Sequence, residues 1–221
     1  MNVWTVCLMC VAGFGSWASA AAPDVAAAAT SEGLVAVKSR TLDELYVRPS
    51  ADLSAYRRII VDPAHAALAK NWLKDMNSQR DVQRWLRPDD AARITDEAAT
   101  SLRAVVTETF KARGYEIATA PGEGVLRLTA SATDVYVNAP DVPSPGIQRT
   151  FVRDAGEATL RLDVRDAVSG TLLVRVVDRG TAREVRLNNS ATGVSNLFWF
   201  DALFRQWAAN CATELEKSRT P

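Results

Sequence analysis

Histidine and cysteine are scarce in this chain of 221 residues, and each scarcity excludes a class of chemistry. His65 is the single histidine, in the context Asp62-Pro63-Ala64-His65. A hydrolytic triad needs a base beside its nucleophile, and His65 is the one imidazole available for that role. No Gly-x-Ser-x-Gly elbow leads into a helix, so His65 reads as an ordinary strand-end or loop residue. Metal binding by a His/Cys cluster fails on counting alone. Of the three cysteines, Cys7 and Cys10 fall in the N-terminal apolar segment. Once that segment is removed only Cys211 remains, so no intramolecular disulfide can form and packing must supply the stability. Cys211 closes Trp207-Ala208-Ala209-Asn210-Cys211, where a buried small hydrophobe fits better than a reactive thiol.

An excess of either charge is also missing: Lys+Arg and Asp+Glu number 26 each. Nucleic-acid binders and polybasic membrane modules need surplus cations, so neither is expected. Gly122-Glu123-Gly124 lacks the lysine and hydroxyl of a phosphate loop and reads as a turn. Asp89-Asp90 and Asp96-Glu97 read as helix charges rather than a carboxylate site. No cofactor and no metal are expected from these residues.

The first charged residue is Asp24, so Met1 to Ala22 is uncharged. Val3 to Phe14 is apolar, and the small residues that follow end in Ala18-Ser19-Ala20, a motif that signal peptidase accepts. The expectation is a secretory signal over 1–20, cut after Ala20, because a later cut would place Pro23 directly beyond the bond. An uncleaved anchor is the alternative, since the stretch approaches the ~20 residues of a membrane span. Gly13, Gly15, Ser16, Ala18 and Ser19 make it a poor span. Neither Cys7 nor Cys10 is preceded by a lipobox, so an unlipidated periplasmic protein with no membrane association after cleavage is expected.

The remaining chain, about 200 residues, is long enough for one domain with a real core. Residues 21–41 are Ala-rich and aperiodic, and read as a disordered leader. The region 42–217 reads as a single globular α+β domain. Arg57 to Val61 is a β-branched run stopped by Pro63, hence a strand. Ala64 to Arg87 reads as an irregular or partly helical excursion pinned by Trp72 and Trp85. Pro88-Asp89-Asp90 opens a helix whose stripe is Ile94, Ala98, Leu102, Val105, Val106 and Phe110, ended by Lys111, Arg113 and Gly114. Tyr115 to Ala118 is a short strand. Val125 to Val137 alternates, with Leu126, Leu128, Ala130 and Ala132 on one face. Glu157 to Asp166 alternates too and turns at Ser169-Gly170 into Leu172 to Val177, an antiparallel hairpin. A final helix begins after Ser195 and aligns Phe200, Leu203, Phe204, Trp207, Cys211 and Leu215. The predicted fold is a mainly antiparallel sheet of about five strands with two long helices packed on one face.

Several segments also resemble a known family in their order along the chain. They are Tyr46-Val47-Arg48-Pro49 with Ala51 to Arg58 and Asp62-Pro63, then Arg113-Gly114-Tyr115-Glu116 and Ala120 to Leu126. Asp134 to Asp141, Val152 to Glu157 and Val194-Ser195-Asn196 continue the series. Together they resemble domain-of-unknown-function family 3313, over residues 42–217. The resemblance implies a small exported bacterial protein, often a lipoprotein in that family, with no established activity and no catalytic residue to carry over. The missing lipobox departs from that pattern.

Two surfaces remain as candidates for a partner. One is the proline-rich loop from Asn138 to Arg153 with Pro140, Pro143 and Pro145; the other is Phe198 and Trp199, which crowd the start of the last helix. They suggest a non-enzymatic binding or envelope-accessory module whose partner is an envelope protein. The alternative is an enzyme or small-ligand carrier built from scattered Asp, Arg and Tyr residues. The signal reading has a direct check: intact-mass and N-terminal analysis of the expressed protein should find a chain starting at Ala21. Membrane-associated material with residues 1–20 retained would refute it.

Overall fold

Alternating apolar residues demand a partner surface on one side of a sheet only, and the computed structural model of the chain shows that surface closed by helices. It describes residues 25–49, 51–138, 154–183 and 196–219. In chain order the elements begin with α1 (Val25–Ser31), β1 (Val35–Val37), β2 (Glu44–Val47), β3 (Arg58–Val61), β4 (His65–Leu68) and α2 (Trp72–Ser78). A 3-10 turn (Val82–Arg84), α3 (Pro88–Ala112), β5 (Glu116–Ile117), β6 (Val125–Val137), β7 (Asp154–Asp166), β8 (Leu172–Arg183) and α4 (Asn196–Lys217) follow.

The fold is α+β, with one mixed sheet of eight strands in the order β1-β2-β8-β7-β6-β3-β5 and β4 also against β6. From β1 to β6 the neighbours are antiparallel. β3 and β4 instead run parallel to β6, and β5 runs parallel to β3. This corrects the expectation of about five mainly antiparallel strands in two respects. The extra strands, β1, β2 and β4, are three or four residues long, too short to show a period. The parallel pairings follow from α3, a crossover that returns the chain to the end where β3 began.

Two helices carry the closure. On α3 the residues Ala98, Leu102, Val105, Val106 and Phe110 are buried, and on α4 Phe200, Phe204, Trp207, Cys211 and Leu215 are buried. They share one core with Leu126, Leu128, Ala130 and Ala132 of β6, with Leu160, Leu162 and Val164 of β7, and with Val174 and Val176 of β8. Each large side chain buried there contributes about 2 kcal/mol. The start of α3 is fixed by Asp90, whose carboxylate accepts the Arg87 amide at 2.9 Å.

Glycine decides how closely α4 can approach. A Cβ on Gly180 of β8 would lie 2.5 Å from Leu203 Cδ1. A Cβ on Gly156 of β7 would lie 1.7 Å from the Tyr136 carbonyl oxygen and 3.1 Å from the Phe200 ring, and its φ of 151° also disfavours a side chain.

Two further expectations need correction. Residues 25–37, read as part of a disordered leader, form α1 and β1. Ala29 and Leu34 pack with Tyr46 and Leu172 in a second small cluster, which supplies the apolar contact that the alanine run alone does not advertise. Trp72 is buried and donates its indole N–H to the Val137 carbonyl at 3.0 Å. Trp85, by contrast, is half exposed, and Leu86 anchors that turn instead. Among the described residues no helix is long and apolar enough to cross a membrane.

Replacing Trp207 by alanine should cost about 3–5 kcal/mol, because a large side chain leaves a cavity that the long helices cannot collapse around. Chemical denaturation reads this directly; a midpoint equal to wild type would refute the assignment of Trp207 to the core.

Candidate functional site

The face of the sheet turned away from α3 and α4 collects the polar half of each alternating strand. Register places Thr129, Asp163, Arg175 and Tyr46 in one row across β6, β7, β8 and β2. Two guanidiniums grip the Asp163 carboxylate. Arg175 donates Nε to Oδ1 and Nη2 to Oδ2, both at 2.8 Å. Arg161, two residues before Asp163 on the same face, donates Nε to Oδ1 at 3.0 Å and Nη2 to Oδ2 at 2.8 Å. Arg165 stands 3.9 Å away. Asp163 and Arg175 are buried, at 8% and 3% exposure. Burial would push the Asp163 carboxyl up, but the hydrogen bonds from Arg175 and Arg161 outweigh it and hold the group below its usual range. A carboxylate filled in this way clamps two strands and is spent as a base.

Other carboxylates are committed likewise. Asp62, just beyond β3, accepts Arg127 Nε at 2.8 Å and the Thr129 hydroxyl at 2.8 Å. Burial opposes its ionised form, and these donors again prevail and lower its pKa. Asp166 accepts the Ser169 amide at 2.6 Å, which closes the β7–β8 turn, and the Tyr56 hydroxyl at 2.9 Å. Burial and that contact push the Tyr56 hydroxyl up to about 12. Cys211 is buried and its thiol is pushed well up, chiefly by burial, as suits an inert core residue. His65 starts β4 beside Ser131 and is exposed. Among the described residues no three His, Cys, Asp or Glu side chains are grouped to hold a metal ion.

The partner surface read from the sequence is met only in part by the described residues. Pro140, Pro143 and Pro145 lie outside them. Phe198 and Trp199 fall in the first turn of α4, but their side chains also lie outside them. The topology nonetheless places their attachment points. Val137 pairs with Gly156, Asp154 with Arg183, and the Phe200 ring lies near Gly156. The residues that flank 139–153 and 184–195, and the start of α4, therefore share one end of the sheet. The turn at Val168 is at the other end.

The alternation from Glu157 to Asp166 puts Arg161 and Asp163 on the polar side of β7, but by itself does not show that Arg175 joins them. The signal was available: a turn centred on Ser169 puts position 175 opposite position 163. The burial of that pair was hidden, because it needs β2 and α1 as neighbours.

A family model described as "Protein of unknown function (DUF3313)" matches residues 27–211. No curated protein matches the chain. Among solved structures the chain is similar to a PelC dodecamer from Paraburkholderia phytofirmans, in two crystal forms. One has 12% identity over 80% of this chain and 94% of that one, with a TM-score of 0.35. The other has 12% identity over 75% and 95%, with a TM-score of 0.37. A protein from Helicobacter pylori described as a neuraminyllactose-binding hemagglutinin homologue has 8% identity over 76% and 87%, with a TM-score of 0.34.

Asp163→Asn should destabilise the domain by about 3 kcal/mol at neutral pH, because it leaves the Arg175 guanidinium buried without its counter-charge. The lowered Asp163 pKa makes that contribution fully present above the ordinary carboxylate range, and it is lost as pH falls through the folded value. Thermal melts of wild type and variant should therefore begin to converge as the pH falls below about 4. A constant gap down to acid pH would show that the charge is not what the clamp uses.

Proposed function

This chain belongs to the DUF3313 family of proteins of unknown function, and we propose that it is an exported periplasmic binding module that engages an envelope protein without catalysis. The observation that carries this reading is the convergence of Val137, Asp154, Arg183 and the start of α4 at one end of the sheet. Two long connections, 139–153 and 184–195, leave from that end, and a rigid sheet that presents loops at one edge is a common way to build a recognition surface. Pro140, Pro143 and Pro145 contribute to it from the first connection, and Phe198 and Trp199 from the helix that follows the second. Aromatic anchors of this kind dominate interface energetics. The charged groups on the outer face support the non-catalytic half of the proposal, since Asp62, Asp163 and Asp166 are each occupied in holding strands and turns together.

Site-specific photo-crosslinking in intact cells tests this. Benzoylphenylalanine at position 143 or 198 should give adducts with the same envelope protein, and at position 168 it should give none. Equal adducts from position 168, or none from both 143 and 198, would reject the surface.

A further inference from the structure

We propose that a shallow cleft at the opposite end of the domain binds a small oxyanion, a carboxylate or phosphate group, between Arg57 and Arg219. The cleft is lined by Ser54, Arg57, Glu216 and Arg219, and encloses about 260 Å³. That is room for a phosphate-sized group with its waters, and it falls below the volume that drug-sized ligands occupy.

The two arginines differ from those that hold the outer face together by what they leave undone. Arg127, Arg161 and Arg175 each grip a carboxylate. Arg219 donates Nη1 to the Tyr115 hydroxyl at 3.2 Å and stacks over that ring with Cζ 5.2 Å from its centroid. Its Nη2 is buried and has no hydrogen-bond partner among the described residues. An unmet guanidinium donor is costly, and two oxygens of a carboxylate or phosphate group are the acceptors that its fork geometry fits. Arg57 is held by its backbone: its amide donates to the Gly124 carbonyl at 3.2 Å and its carbonyl accepts the Glu116 amide at 3.1 Å. Its guanidinium is exposed and has no ion-pair or hydrogen-bond partner among the described residues.

Charge at the cleft favours an anion. Glu216 lines the wall, but Arg113 donates to it at 2.9 Å and neutralises it. At the rim Asp52 accepts the Ser54 amide at 2.8 Å. Among the lining residues two arginines, Arg57 and Arg219, thus stand beside one carboxylate, Glu216, which is already paired. Tyr115, packed against Phe110 with ring centroids 5.4 Å apart, supplies the rigid floor on which Arg219 rests.

Amide NMR of the full domain reads the site, with inorganic phosphate and acetate titrated separately at ionic strength held constant with sodium chloride. The amides of Ser54, Arg57, Tyr115 and Glu216 should shift and saturate. R57Q and R219Q should each weaken the affinity about tenfold, the effect of losing one charge-assisted contact, while K217Q leaves it unchanged. Saturation by phosphate alone, by acetate alone or by both supports the site and states which chemistry it prefers. Shifts that track chloride without saturating, or an affinity unchanged in R57Q, would overturn it. Arg57 is exposed, so R57Q keeps the test valid even if R219Q unfolds. Because the cleft lies at the end opposite the residues that flank 139–153 and the start of α4, its failure leaves the partner surface untouched.

Discussion

The fit of α4 onto β7 and β8 is the constraint on which the rest of the molecule depends. The helix brings Phe200, Phe204, Trp207, Cys211 and Leu215 down onto the inner face of the sheet, and Leu203 reaches the backbone of β8 itself. Gly180 leaves the space that Leu203 occupies, and Gly156 leaves that next to the Tyr136 carbonyl and the Phe200 ring. Once α4 is seated, α3 packs beside it and the core closes over β6. The start of α4 lies at the end of the sheet shared by the residues that flank 139–153 and 184–195. At the other end the last turn of the helix carries Arg219 to Tyr115 and forms a wall of the cleft.

The polar face answers a different requirement. An outer face with no long helix over it must still hold its strands in register, and here ion pairs do so. Asp163 joins β7 to β8 through Arg175, Asp62 joins β3 to β6 through Arg127, and Asp166 ties the β7–β8 turn to Tyr56. Carboxylates that serve in this way are held in their charged form and cannot also shuttle protons. Among the described residues these three carboxylates therefore serve the architecture.

Much of this was legible in the sequence where a period ran long enough to be read. The stripe from Ala98 to Phe110, the alternation from Leu126 to Ala132 and the turn at Ser169-Gly170 all appear as predicted. Strands of three or four residues carry no period, so β1, β2 and β4 are not legible in the sequence, and the parallel pairing of β3 depends on the crossover through α3. Ala29 and Leu34 looked like leader residues because their partners, Tyr46 and Leu172, are far away in the chain. Trp85 misled for the opposite reason: its size suggests burial, yet Leu86 takes the inner position. Arg57 and Arg219 are separated by almost the whole domain, and only the fold brings them to one cleft.

The account stands or falls on the seat of α4, and substitution at Gly180 addresses it without touching any charged group. Native-state hydrogen exchange on Gly180→Val reads the effect strand by strand. If α4 is seated through that glycine, the amides of β7, β8 and α4 should lose their slow-exchange protection together, because a Cβ there collides with Leu203. Protection that matches wild type across β8 and α4 would contradict the account.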